Sequence, residues 1–383
     1  MIVATVAVTA AYALLLLIKY WLTLARSRQL PPGDPGTPLP DGTLSIVQAI
    51  LSGDPLLESR LATNLAAHPG QSFIWLVDED DTEGRRIAAN LQSLNPSSRL
   101  LVHLCRPCPD RINPKLWKLR LAPGLAGTDF FCVLDDDTTL PSGTAAALVL
   151  AASRHSVATG LPFYRDAGDL PSALLSQFVN NNSAFTYLGT ARLLAPFTLN
   201  GMGYVMRRDE LARIGDFEPI LHHLTDDFSL ALLFRSRGGD IHQSQAPLQI
   251  ATGVRDFRHY LHLMHRWHVF TLLLLLRQPH STRLLIFLMH GLPPLLLLAL
   301  AVLAILEATL LSLSLVASLL LLRGLVISAL TRSLSGTALH RPVLSVVSEL
   351  LLPFHLVHAL LVRTIRWRSR RYRVQQIDSF TEA

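Results

Sequence analysis

Cysteine is scarce in this chain, with Cys105, Cys108 and Cys132 the three among 383 residues. Three thiols cannot build a disulfide framework, and their scarcity fits a reducing compartment. Cys105-Arg-Pro-Cys108 is a lone CxxC with no second pair, so it reads as ordinary packing rather than as a zinc or redox site. Charge and aromatics are also thin, at 16% and 7% of residues. The formal charge of +6 raises the question of nucleic acid. No basic patch interleaved with base-stacking aromatics is present, however, and no nucleic-acid partner is expected. The cations cluster beside apolar segments instead, where anionic lipid headgroups attract them.

What the chain has in surplus is hydrocarbon: half of it is hydrophobic and the mean hydropathy is +0.35. The surplus sits at the two ends, while Leu30 to Asp256 reads as soluble protein carrying Pro, Gly, Asp and Arg throughout. Ile2 to Ala25 has Lys19 as its one charge and is long enough to cross ~30 Å of hydrocarbon. Its basic residues, Arg26 and Arg28, follow the apolar run rather than precede it, which marks an uncleaved anchor, not a signal peptide. The positive-inside rule then keeps residue 27 onward in the cytosol, on the inner membrane if the cell is bacterial. Near the other end, Leu284 to Leu306 and Ala308 to Leu330 make a helical hairpin broken by Glu307, with Arg323 inside the second run. Val343 to Val362 is of spanning length but holds Glu349, Pro353, His355 and His358. A full crossing there would export the arginine-rich tail, so a re-entrant or interfacial segment is favoured over a fourth span. The expected organisation is an anchor over 1–26, a linker over 27–43, a cytosolic catalytic domain over 44–256, an interfacial helix region over 257–281, membrane helices over 282–362 and a basic tail over 363–383.

Within the soluble stretch, apolar strand-like runs alternate with helix-like ones, which predicts an α/β domain with a mainly parallel sheet. Ser72 to Val77 ends in Asp78-Glu79-Asp80-Asp81, and Asp129 to Leu134 ends in Asp135-Asp136-Asp137. Ligands of such sheets bind beyond the carboxyl ends of strands, where both acidic clusters fall. Neighbouring carboxylates ~4 Å apart repel by ~4 kcal/mol at an effective dielectric of 20, and hard oxygen ligands suit Mg²⁺ or Mn²⁺ as the compensating charge. A third pair, Asp226-Asp227, opens a helix-like stretch after Thr225. Capping explains one of these acids, and the second reads as a general base acting beside a metal-stabilised leaving group. Phe257 to Trp267, FRHYLHLMHRW, has the look of a helix lying in the membrane interface. Its histidines at 259, 262, 265 and 268 drift ~60° per step on a helix, so they cannot share one metal-binding face.

Taken together these segments resemble the ceramide glucosyltransferases, family 21 of the glycosyltransferases, an inverting group with the GT-A (nucleotide-diphospho-sugar transferase) fold. Four motifs carry the resemblance: the acidic 78–81 cluster, the DxD-type Asp135-Asp136-Asp137, Asp226-Asp227-Phe228, and Asn113-Pro114-Lys115, joined by Asn200-Gly201-Met202-Gly203. The resemblance implies a mixed, mainly parallel sheet with membrane helices at both ends. It implies a UDP-sugar donor, glucose in the first instance, and a lipid acceptor such as ceramide in the bilayer. Asp227 would be the catalytic base, with Asp226 beside it. Asp135 and Asp137 would hold the metal, and Asp78, Asp80, Asp81, Lys115, Asp135, Asp136, Arg266 and Trp267 would meet the donor. Gly201, Met202, His262 and His265 would border the acceptor. The terminal (Q/R)xxRW motif is incomplete, since Leu263 stands three residues before Arg266, and Arg363-Thr-Ile-Arg366-Trp367 reads as part of the basic tail. Polysaccharide synthases and polyprenyl-phosphate glycosyltransferases share such motifs, and a non-catalytic membrane scaffold keeping the fold is the reading from another class.

Overall fold

The computed structural model describes residues 2–30, 39–251, 253–367, 370–374 and 380–382. The chain forms two compact units, both discontinuous in sequence. Leu30–Phe163, Ala195–Gly253 and Tyr372–Ala383 build a sheet unit, while Met1–Gln29, Tyr164–Leu194 and Val254–Arg371 build a helical unit.

The larger sheet has eight strands: β1 (Leu44–Ile50), β2 (Ser72–Asp78), β3 (Arg99–Cys105), β4 (Phe130–Leu134), β5 (Thr138–Thr139), β6 (Val157–Tyr164), β7 (Gly203–Arg207) and β8 (Ile241–Ile250). Their spatial order is β3-β2-β1-β4-β7-β6-β8-β5. β3, β2, β1 and β4 run parallel, and β7 joins β4 antiparallel, which makes the sheet mixed. The sequence anticipates β2 and β4 because their apolar runs end in acids. β6 and β7 are equally buried but carry no such punctuation. Val47, Ile74, Val133, Tyr204 and Leu230 are among the core residues between the sheet and its helices.

The helices are α1 (Ile2–Ser27), α2 (Leu57–Ala67), α3 (Thr82–Leu94), α4 (Pro114–Leu119), α5 (Ala122–Leu125), α6 (Ser142–Ala152), α7 (Leu170–Ala184), α8 (Arg208–Arg213), α9 (Asp226–Ser236), α10 (Phe257–Leu276), α11 (His280–Ile286), α12 (Leu292–Glu307), α13 (Leu310–Ser335) and α14 (Pro342–Leu361). A π turn over Phe287–Gly291 fuses α11 and α12. Four helices are long and apolar enough to cross a membrane: α1, His280–Glu307, α13 and α14. Two charged residues of α13 and α14 meet. Arg323 of α13 reaches Glu349 of α14 at 2.6 Å, donates to the Ser345 hydroxyl at 2.8 Å and to the Tyr12 hydroxyl of α1 at 3.1 Å, while Tyr12 donates to Glu349 at 2.9 Å. In hydrocarbon an isolated charge is expensive, so pairing is the condition for keeping these residues there.

The expected single catalytic stretch over 44–256 is interrupted in the structure, because Tyr164–Leu194 leaves the sheet unit for the helical one. α7 is buried through amides rather than hydrocarbon alone. Asn180 bonds both backbone groups of Tyr164, at 2.9 and 2.8 Å, and Asn181 bonds the Ser345 carbonyl at 3.0 Å. Those partners are distant in sequence, which hides the assignment from a reading of local pattern.

Candidate active site

Because β1 is flanked in parallel by β2 and β4, the carboxyl ends of three strands lie side by side. The segments leaving them are 50–52, 78–81 and 135–137. A fourth element is brought in by Asn113, whose side chain caps α4 by accepting from the backbone N–H of Lys115 at 3.0 Å and of Leu116 at 3.3 Å, with Pro114 in the first turn. The other end of the same amide donates to the carbonyls of His223 and Leu224, each at 3.1 Å. One buried asparagine thus fixes α4 against the start of α9, so that Lys115 faces Asp226.

Lys115 Nζ lies 2.6 Å from Asp135, 2.6 Å from Asp226 and 3.4 Å from the Gly201 carbonyl. The backbone closes the same contact, with Asp135 N–H donating to the Met202 carbonyl at 3.0 Å. Burial works against the Lys115 charge, but Asp135 and Asp226 together hold its pKa well above the ordinary value. Burial pushes Asp135 up to about 7, opposed by Lys115 and reinforced by Asp137 and Asp226. Asp227, beside Asp226 in the first turn of α9, is pushed up to about 6, by burial first and then by Asp226. One Asp227 oxygen accepts from Phe228 N–H at 2.7 Å. The other faces Gly201, where an added Cβ would stand 2.9 Å from it. A side chain at 201 would therefore have to displace that of Asp227.

Not every acid in the expected set is available to a ligand. Asp81 accepts from Ser52 N–H at 2.8 Å, from the Ser52 hydroxyl at 2.5 Å and from Gly84 N–H at 2.9 Å, so it caps α3 and ties down the end of β1. These bonds outweigh its desolvation and lower its pKa. Asp136 accepts from Leu51 N–H at 2.8 Å and is likewise committed to the β1 end. Asp80 is exposed at the rim, and Asp78 is tied to Lys118 at 2.7 Å. The capping role anticipated at Thr225 or Asp226 is not made by a side chain, since Thr225 occupies the cap position without a side-chain bond.

Two residues join the cluster unannounced. Lys118 is fully buried and donates to the Ile50 carbonyl as well as to Asp78, each at 2.7 Å. It lies three residues after Lys115, one helical turn on, and that spacing was the available signal. Tyr204, opposite Val133 on β7, is fully buried, and its hydroxyl has no hydrogen-bond partner among the described residues. Burial, then Asp226, raise its pKa well above the ordinary value.

Arg266, Trp267, His262 and His265 belong to α10 in the helical unit. Trp267 packs edge-on against Tyr164, with ring centroids 6.1 Å apart, and stacks on Phe178 at 5.9 Å. His265 Nε2 bonds the Thr364 carbonyl at 3.1 Å, and its ring lies 4.4 Å from that of His358. The side chains of Arg366 and Trp367 lie outside the described residues.

Among the described residues no group of three or more His, Cys, Asp or Glu closes a metal site on its own. The donor chemistry nevertheless suits a hard divalent ion. Asp135, Asp137, Asp226 and Asp227 interact electrostatically around the single ammonium of Lys115, leaving negative charge in excess. Ions of the Mg²⁺ type bind through one or two carboxylates and complete their shell with phosphate oxygens and water.

Among curated protein sequences none matches this chain. Of solved structures, the mannosyltransferase PcManGT from Pyrobaculum calidifontis, in complex with GDP-Man and Mn2+, superposes with a TM-score of 0.52 over 94% of this chain and 97% of its own, at 15% identity. The glucosyl-3-phosphoglycerate synthase from Mycobacterium tuberculosis, in complex with phosphoglyceric acid, is also 15% identical and covers 58% of this chain and 78% of its own. Its TM-score of 0.35 is too low to bear on the fold. The sequence profile described as glycosyl transferase family 21 matches residues 1–379. With the match running through nearly the whole sequence and the GT-A sheet shared with PcManGT, this chain belongs to glycosyltransferase family 21.

Proposed function

We propose that this glycosyltransferase is a membrane-bound inverting enzyme that moves a hexose, glucose foremost, from a UDP-sugar to the hydroxyl of a lipid such as ceramide, with its sheet unit on the cytosolic face. The observation that carries the reading is the convergence on Lys115 of Asp135 and Asp226, from segments far apart in sequence, with Asp227 buried next to them. A buried carboxyl pushed up to about 6 is matched to proton abstraction near neutrality.

In this reading Asp227 takes the proton from the acceptor hydroxyl. The acceptor oxygen bonds to the anomeric carbon as the bond from that carbon to the diphosphate oxygen breaks, and UDP departs on the opposite face. Asp135 and Asp137 would hold Mg²⁺ or Mn²⁺, which supplies neutralisation of the charge that develops on the diphosphate. Lys115, already held as a cation between two acids, is placed to turn toward the phosphates. Lys118 keeps Asp78 at the strand end, where it would face the nucleoside. The long apolar helices support a lipid acceptor, because a lipid hydroxyl sits at headgroup depth.

The test is transfer assayed with purified protein, UDP-[¹⁴C]glucose and a panel of lipids in mixed micelles. A single glycosylated lipid is expected, lost in Asp227→Asn while the melting temperature is kept. A ladder of polymeric products would point to a synthase. Absence of both transfer and donor hydrolysis in the folded wild type, across nucleotide sugars, would leave only the scaffold reading.

A further inference from the structure

The two lysines of α4, one helical turn apart, serve the acidic cluster differently. Lys118 is fully buried and locked, donating to the Ile50 carbonyl and to Asp78 at 2.7 Å each. Lys115 keeps 15% of its side chain exposed and holds Asp135 and Asp226 at 2.6 Å each, with the Gly201 carbonyl at 3.4 Å. The base of its stem is anchored, because Asn113 ties α4 to the His223 and Leu224 carbonyls at that point. Its head is not, since a flexible four-carbon chain lets the ammonium swing while the helix stays in place. The contact with Asp226 is one of charge, as the Asp226 oxygen that faces the ammonium makes no aligned hydrogen bond among the described residues.

Two carboxylates and a carbonyl around one cation form the kind of hard oxygen set that Mg²⁺ or Mn²⁺ takes, and here the chain's own ammonium sits among them. One positive charge is too little for the place. Asp137 acts on Asp135 and Asp226 acts on Asp227, so four acids share a single ammonium. The fully buried Tyr204 hydroxyl, unpaired among the described residues, feels Asp226, Lys115, Asp135 and Asp227. A buried donor without a partner is costly, and it points to a further polar occupant of the cluster. A diphosphate arriving here draws the ammonium toward itself through charge-assisted hydrogen bonds. Asp135 and Asp226 then lose their shared counter-charge, which is the condition that favours a divalent ion.

We propose that Lys115 is a built-in counter-ion whose ammonium fills a cation seat between Asp135 and Asp226 until the donor diphosphate draws it away, so that Mn²⁺ or Mg²⁺ is taken up together with the donor. Asp226 is thereby a ligand of that seat as well as the neighbour of the base. The proposal rests on the reading of this cluster as the donor site, and it adds that donor and ion favour each other's binding through the displacement of one lysine.

The test is Mn²⁺ affinity of the full chain purified in detergent, read from free Mn²⁺ by electron paramagnetic resonance with and without UDP. Lys115→Met keeps the stem and removes the charge. It should bind Mn²⁺ about tenfold more tightly than wild type in the absence of UDP, within the usual range for coupled sites, and gain less from UDP. Lys115→Arg keeps the charge but grips two carboxylates with a planar fork, so it should bind Mn²⁺ more weakly than wild type. A Met variant no tighter than wild type overturns the proposal. So does an Arg variant equal to wild type, because an effect of field alone depends on charge and not on displacement. Melting temperatures identify a variant that fails to fold, and the other still decides. Transfer is not the readout: sugar transfer with Mn²⁺ affinity unchanged in both variants refutes the seat and keeps the enzyme, whereas absence of transfer with the two shifts present keeps the seat.

Discussion

Replacing Gly201 by alanine is the sharpest perturbation of the proposed chemistry, because it moves the base without removing it. The added Cβ would stand 2.9 Å from an Asp227 oxygen, 3.2 Å from its Cβ and 3.3 Å from its Cγ, where ordinary contact begins at 3.4 Å. The Asp227 carboxylate must therefore retreat by about 0.5 Å on steric grounds, while Gly201 itself has no left-handed φ that alanine would resist. A displacement of 1 Å can cost 10²-fold in rate, so half of that predicts a loss of about tenfold, or ~1.4 kcal/mol of transition-state stabilisation. Overpacking a single methyl adds a stability penalty of about 1 kcal/mol, small enough for the protein to remain folded. The assay is steady-state transfer with donor and acceptor varied separately. The expected signature is a fall in kcat with little change in the donor KM, since the nearest atoms the added methyl meets are all of Asp227. Wild-type kcat in a correctly folded Gly201→Ala protein would refute the placement of Asp227 as the base.

Three further outcomes follow from the same geometry. A base must be deprotonated to act, and burial and Asp226 put Asp227 at about 6, so kcat/KM should rise with pH through about 6 and level off above it; a profile flat from pH 5 to 8 contradicts this. Lys118→Met removes one partner of a buried ion pair and leaves Asp78 uncompensated, a loss of about 3 kcal/mol that a thermal melt would register and that Asp78→Asn in the same chain should partly restore; an unchanged melting temperature rejects the pairing. Chelation with EDTA should abolish transfer, with Mn²⁺ or Mg²⁺ restoring it, while full activity in EDTA would exclude a role for Asp135 and Asp137 as metal ligands.

Much of this arrangement is legible before any coordinates. The acids at 135–137 stand out because the FFCVL run before them is a buried strand, and strand ends are where α/β sheets bind ligands. Lys115 is legible through Asn113-Pro114, a helix start in its own right. Lys118 is legible only as a neighbour of Lys115 one helical turn on, because nothing local distinguishes a buried lysine from a solvated one. Its burial depends on the Ile50 carbonyl and on Asp78, at separations of 68 and 40 residues. Asp81 misleads for the converse reason, since its position beside Asp78 suggests a ligand while Ser52, 29 residues away, makes it a brace. Arg323 and Glu349 look like flaws in membrane helices until the third dimension joins them.

The interleaved path of the chain constrains how the protein can be made. β4 is central in the sheet, and its antiparallel neighbour β7 is translated only after α7 and the turn beyond it. A nascent chain paused before Gly203 therefore presents an unsatisfied β4 edge, open to strand exchange with another copy. Any soluble fragment cut at Phe163 carries the same defect permanently. Expression of 39–163 alone should yield aggregates, whereas a version keeping 195–253 and replacing 164–194 by a short polar bridge retains every strand of the eight-stranded sheet.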